Sequence, residues 1–127
     1  MKNISSYAPI VLRLGLTAVV LWFGTSQLIN PNMWTGIVPQ WATALSGMSA
    51  ATIVHLNGWF EVITGLLLGV GIYTRWVALI LAVHLLVIAS GFGFNPIGVR
   101  DLGLTASMLA LAMLGNDAYC YHYKKEE

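Results

Sequence analysis

Charge is what this sequence lacks most. Of its 127 residues only 9% are Asp, Glu, Lys or Arg, while 57% are hydrophobic, against roughly a quarter charged in an average soluble domain. That leaves too little polar surface to coat a water-soluble core, so lipid is expected to solvate most of the surface. The formal net charge of +1 includes no clustered basic face that could displace counterions, which excludes a nucleic-acid partner. Cysteine is nearly missing as well. With Cys120 alone, no intramolecular disulfide, CxxC redox pair or cysteine-rich metal cage can form. GxSxG, HExxH, a phosphate-binding glycine loop and a dinucleotide fingerprint are also absent. No autonomous catalytic motif is therefore present, and any redox chemistry has to come from a bound cofactor or a partner. His55, His84 and His122 have no metal-ligand spacing, so no metal site is expected.

What is present is a set of long apolar runs. About 20 helical residues cross a hydrocarbon core of about 30 Å, and four stretches approach that length: residues 10–28, 53–71, 76–90 and 99–114. Pro9 suits the first turn of the first span. Lys2 ahead of that run resembles the start of a signal peptide. However, Arg13 interrupts the apolar region and no small-x-small site follows, so the span is expected to be retained. Residues 29–51 differ in kind. Pro31, Gly36, Pro39 and Gly47 alternate with Trp34 and Trp41, and no Lys or Arg occurs. This pattern predicts a connection lying at the membrane interface, with a short helix starting at Gln40. Residues 90–98 are turn material, and Gly115-Asn116 is a C-cap for the last span. The expected fold is a single all-α domain over residues 1–127: an integral membrane four-helix bundle with a Trp-bearing interfacial segment between its first two helices.

Orientation follows from the cations. In a four-span arrangement Lys2, Arg75, Lys124 and Lys125 fall on one side, which predicts both termini in the cytoplasm of a prokaryotic-type cell with the chain in its plasma membrane.

The informative residues are the ionisable ones inside spans: Arg13, Glu61, His84, Arg100 and Asp101. One such group at the bilayer centre costs about 2.5–3.5 kcal/mol, so each is expected to face protein or water and to find a partner. Glu61 lies about eight residues, roughly 12 Å, from the outer end of its span, and His84 is at comparable depth. Asn57 is one turn from Glu61 on the same helical face, and Gln27 stands at the outer end of the first span. The expected network pairs Arg100 with Glu61, with Asn57, His84 and Gln27 completing the hydrogen bonds and Asp101 at the helix N-terminus. Arg13, about one turn inside the cytoplasmic end, is expected to snorkel to phosphate headgroups. A purely structural network that fixes helix register is the alternative. Small residues have a packing explanation first: Gly65-Leu-Leu-Leu-Gly69, and Gly103, Ala106, Ser107 and Ala110 on the last span, allow close helix approach within the chain or in an oligomer.

Arg13-Leu-Gly15 and Trp22-Phe-Gly24 in the first span, Glu61 followed by Thr64-Gly65-Leu-Leu-Leu-Gly69, Tyr73-Thr-Arg75, and Arg100-Asp101-Leu-Gly103 opening the fourth span together resemble the DoxX family of small membrane proteins. The resemblance covers nearly the whole chain. It implies a four-span bundle and a link with respiratory or sulfur redox chemistry, since DoxX-like proteins include subunits of thiosulfate:quinone oxidoreductase and are related to methylamine-utilisation membrane proteins. Gln27 stands where a lysine is common in that pattern, so an anion or quinone contact made by such a lysine is not carried over. Two readings follow. In the first, the chain is a redox-associated subunit, served by a partner protein, that binds a quinone or similar hydrophobic molecule among Gln27, Trp34, Trp41, Asn57, Glu61, His84, Arg100 and Asp101, with no covalent cofactor. In the second it is a small proton-coupled transporter or channel working through Glu61. A structural assembly subunit is a third.

Overall fold

A computed structural model describes residues 3–121. Lys2, Lys124 and Lys125, on which the orientation argument leans, and His122 lie outside the described residues. All regular structure among the described residues is helical. A 3₁₀ turn at Ile4–Tyr7 runs into helix α1, Ala8–Ile29; two further 3₁₀ turns, Pro31–Met33 and Thr35–Ile37, precede the short α2, Gln40–Ser46; then come α3, Ala50–Val70, α4, Thr74–Phe92, and α5, Pro96–Leu114. Four helices, Ile4–Ile29, Ala50–Val70, Thr74–Phe92 and Pro96–Leu114, are long and apolar enough to cross a membrane.

Each boundary has a local cause. Asn30-Pro31 ends α1 because proline disfavours helical backbone in the residue before it. Gly47 stops α2 in the left-handed region at φ 69°. At the end of α3, Gly71 adopts φ 84°, and the N–H groups of Gly71 and Ile72 both donate to the carbonyl of Leu67, at 2.9 and 3.0 Å. This closes the helix as a Schellman turn. The Asn95 side chain accepts from Gly98 N–H at 2.8 Å, and Pro96 takes the first helical position of α5. Helices α3, α4 and α5 therefore begin two or three residues earlier than the apolar runs alone predict. Helix α4 also runs to Phe92, through Gly91, shortening the expected 90–98 turn.

The chain divides into two compact units, Met1–Thr17 with Leu66–Glu127, and Ala18–Gly65. In the first, α4 and α5 pack against each other. Val77, Ala78, Leu81 and Ala82 make the buried stripe of α4, and Asp101, Thr105, Met108 and Ala112 that of α5, at the spacing of one helical face. In this unit Gly69 faces Thr17, whose Cγ2 would stand 2.9 Å from an added Cβ.

In the second unit, glycines bring the outer part of α1 close to α3. A Cβ on Gly58 would stand 3.0 Å from the carbonyl oxygen of Gly24, and a Cβ on Gly24 would stand 3.0 Å from Glu61 Cβ and from the backbone nitrogen of Val62. Gly65 likewise faces Leu21. The GxxxG glycines are thus used for packing inside the chain, whereas Gly103 on α5 meets nothing within 4 Å. Large apolar side chains such as Val11, Trp22, Trp59, Trp76 and Met113 are exposed. That is the pattern of helices whose outer faces meet lipid.

Candidate functional site

The glycine contact between α1 and α3 brings three polar side chains together. Asn57 and Glu61 are one turn apart on α3, which places them on one face, and Gln27 arrives from α1. Gln27 Nε2 donates to Glu61 Oε2 at 2.9 Å, and Asn57 Nδ2 donates to Glu61 Oε1 at 3.1 Å. Asn57 Nδ2 also donates to Gln27 Oε1 at 2.7 Å, and Gln27 Nε2 to the carbonyl of Phe23 at 3.1 Å. Gln27 and Glu61 are buried and Asn57 is half-buried. A carboxyl group removed from water thus receives a donor on each oxygen, which offsets its desolvation. The unit Ala18–Gly65 contains no Lys or Arg. In the same unit Trp34 folds back onto α1: its indole N–H donates to Ser26 Oγ at 3.2 Å, and its ring meets Phe23 edge-on at 5.7 Å. Trp41 is exposed on α2.

His84, Arg100 and Asp101 belong to the other unit. Arg100, which is exposed, pairs with its neighbour Asp101 at 3.1 Å, while Asp101 is buried and its carbonyl accepts from Thr105 Oγ1 at 2.8 Å. His84 is half-buried on α4. Among the described residues no group of three His, Cys, Asp or Glu side chains is gathered as a metal site.

Arg13 departs from expectation. Rather than reaching headgroups, it is buried, with 1% of its surface exposed. Its Nε donates to Asp117 Oδ2 at 2.7 Å and Nη2 to Asp117 Oδ1 at 3.2 Å; Nη1 donates to the carbonyls of Leu68 at 3.1 Å and Gly69 at 2.6 Å. A two-point carboxylate pair and two last-turn carbonyls of α3 hold the cation more tightly than hydrated phosphate would. Asp117 was missed because it follows the last span and reads as part of a polar tail. The signal that could have found it is a charge balance: a cation inside a span needs an anion, and Asp117 stands just beyond the Gly115 cap. The turn carrying Asp117 is itself fixed, for Tyr119 N–H donates to Asp117 Oδ1 at 2.9 Å and Tyr121 N–H to the carbonyl of Val70 at 3.0 Å. Burial alone pushes the Asp117 carboxyl up. The hydrogen bonds from Arg13 and Tyr119, the Arg13 charge and a Cys120 contact outweigh it and hold the carboxyl below its ordinary value.

Four apolar membrane-length helices carrying a few internally bonded polar side chains define a multi-pass membrane protein. The DoxX family profile matches residues 8–95, and the chain belongs to the DoxX family. No curated protein and no solved structure matches it.

Proposed function

We propose that this chain is a membrane subunit that binds a small hydrophobic molecule with a polar head, a quinone being the candidate, and presents it to a redox partner protein. The observation that carries this reading is the Gln27–Asn57–Glu61 cluster: a carboxyl group and two amides held at defined hydrogen-bond distances inside an apolar, membrane-length pair of helices. Mostly apolar surroundings with a few placed polar groups are what a small-molecule site requires. Asn57 and Glu61 would hold the head group, and Trp34 gives the same unit an aromatic side chain. A bound quinone would supply two-electron carriage within the bilayer, which this chain's own side chains do not offer. Membership of the DoxX family supports a redox setting for the site.

The test is a titration of the purified protein with a short-chain quinone and hydroquinone couple, followed by tryptophan fluorescence. A saturable quench that weakens in Glu61→Gln and Asn57→Leu is expected. No saturable quench, or one unchanged in both variants, removes the reading. We further propose that the chain sits in a prokaryotic-type plasma membrane with both termini cytoplasmic. The clustering of Lys2, Arg75, Lys124 and Lys125 on one side of four spans supports this.

A further inference from the structure

The connection between α1 and α3 turns large apolar side chains outward. No Asp, Glu, Lys or Arg occurs between Arg13 and Glu61, so the connection carries no charged side chain of this kind. Helix α2 has two faces. Gln40, Thr43 and Ser46 follow one another at three-residue spacing, whereas Trp41 and Leu45 stand one turn apart on the other side. Trp41 is 53% exposed and Leu45 84%, and in the turns ahead of α2 Met33 is 69% and Ile37 42% exposed. Apolar surface gathered in this way marks a place where something other than water is met.

The polar groups of the same stretch are spent locally. The N–H groups of Met33, Trp34, Ile37, Val38, Ala42 and Gly47 donate to carbonyls three or four residues back, and Pro31 and Pro39 have no N–H to satisfy. The hydroxyls of Thr35, Thr43 and Ser46 donate to the carbonyls of Asn32, Gln40 and Ala42 at 3.1, 2.9 and 2.6 Å. Leaving bulk water therefore costs these groups little. The stretch is also tethered. Both α1 and α3 are of membrane-spanning length, so the residues that join them start and end at a bilayer surface, and the Trp34 bond to Ser26 holds the first turn against α1. Exposed apolar side chains continue from it onto Ile29 at the end of α1 and onto Leu56 and Trp59 of α3.

We infer that Met33, Ile37, Trp41 and Leu45 form a lipid-docking face, seated about 5–10 Å into the headgroup–acyl boundary with the Gln40, Thr43 and Ser46 stripe toward water. The partner is the bilayer because this face is continuous with the lipid-facing surface of the spans that bracket it. Interfacial helices that carry Lys or Arg favour anionic lipid. This one carries neither, so its docking is indifferent to lipid charge. The inference uses none of the Gln27, Asn57 and Glu61 cluster and stands apart from the ligand reading.

The experiment compares tryptophan emission of the full wild-type chain and of Trp41→Phe in phosphatidylcholine vesicles, so that the difference reports Trp41. Leu45→Trp and Gln40→Trp, each made on Trp41→Phe, report the two faces of α2 in the same way. Lipid brominated near the headgroup end of its acyl chains is expected to remove most of the Trp41 and Leu45→Trp emission, which aqueous iodide leaves in place. The Gln40→Trp emission is expected to be the more sensitive to iodide. Adding phosphatidylglycerol to the vesicles is expected to change none of this. Trp41 emission that iodide removes and brominated lipid does not would place the face in water and overturn the proposal. Emission that neither quencher reaches would mean that a second copy or another protein covers it, which overturns the proposal equally. Quenching by brominated lipid only when phosphatidylglycerol is present would overturn the indifference to charge.

Discussion

At Arg13 a cation inside a membrane-length helix is neutralised by an acid 104 residues further along the chain, and the remaining guanidinium donors are taken by two carbonyls. Removing one partner strands the other in a low dielectric. Asp117→Asn or Arg13→Leu is therefore expected to destabilise the protein by about 3–5 kcal/mol, read as the midpoint of unfolding in mixed micelles. The double variant is expected to lose less than the sum of the two. The same pair sets a pH dependence. Because the Asp117 carboxyl is held below its ordinary value, its contribution is fully present above the unfolded value of about 3.8 and disappears as pH falls through the lower folded value. In Asp117→Asn that acid-side loss should be missing from the stability profile. Arg13 also shows the limit of reading single residues from sequence. Its depth in the span suggested headgroups, and nothing local marks a partner on a tail that returns only when the fold is complete. Asn57 and Glu61, by contrast, were legible as neighbours because one helical turn fixes their relation.

At the scale of elements, the helices were legible from apolar length, and their ends from Asn95-Pro96, Gly47 and Gly71 once capping is weighed beside hydrophobicity. The approach of α1 to α3 was less legible, since a glycine in an apolar run does not say which neighbour it meets. The contacts separate the glycines sharply. Gly58→Ala puts a Cβ 3.0 Å from a backbone oxygen and 3.1 Å from Gln27 Cβ, and should cost about 1–3 kcal/mol by overpacking. Gly103→Ala meets nothing within 4 Å and should be neutral or stabilising by up to about 1 kcal/mol through helix propensity. Paired thermal unfolding measurements check both. If the two variants lose stability equally, the close approach at Gly58 is not what holds α1 and α3 together.

Across the whole molecule, most of the charged side chains among the described residues are held in a few places. Arg13 and Asp117 secure the turn after α5, Arg100 and Asp101 open α5, and Glu61 is held by two amides. If both termini face the cytoplasm, cysteine-substituted variants Ser5→Cys and Tyr121→Cys should be labelled by an impermeant maleimide only after cell disruption. Thr35→Cys, in the connection between α1 and α3, should be labelled in intact cells. The reverse pattern would invert the topology. The most direct test of the central claim, that Glu61 anchors a hydrophobic ligand, is native mass spectrometry of the protein released from its own membrane. A discrete adduct with the mass of a prenylated quinone or quinol is predicted on the wild-type chain, reduced in Glu61→Gln. An adduct-free wild-type protein, or one equally loaded in the variant, would contradict it.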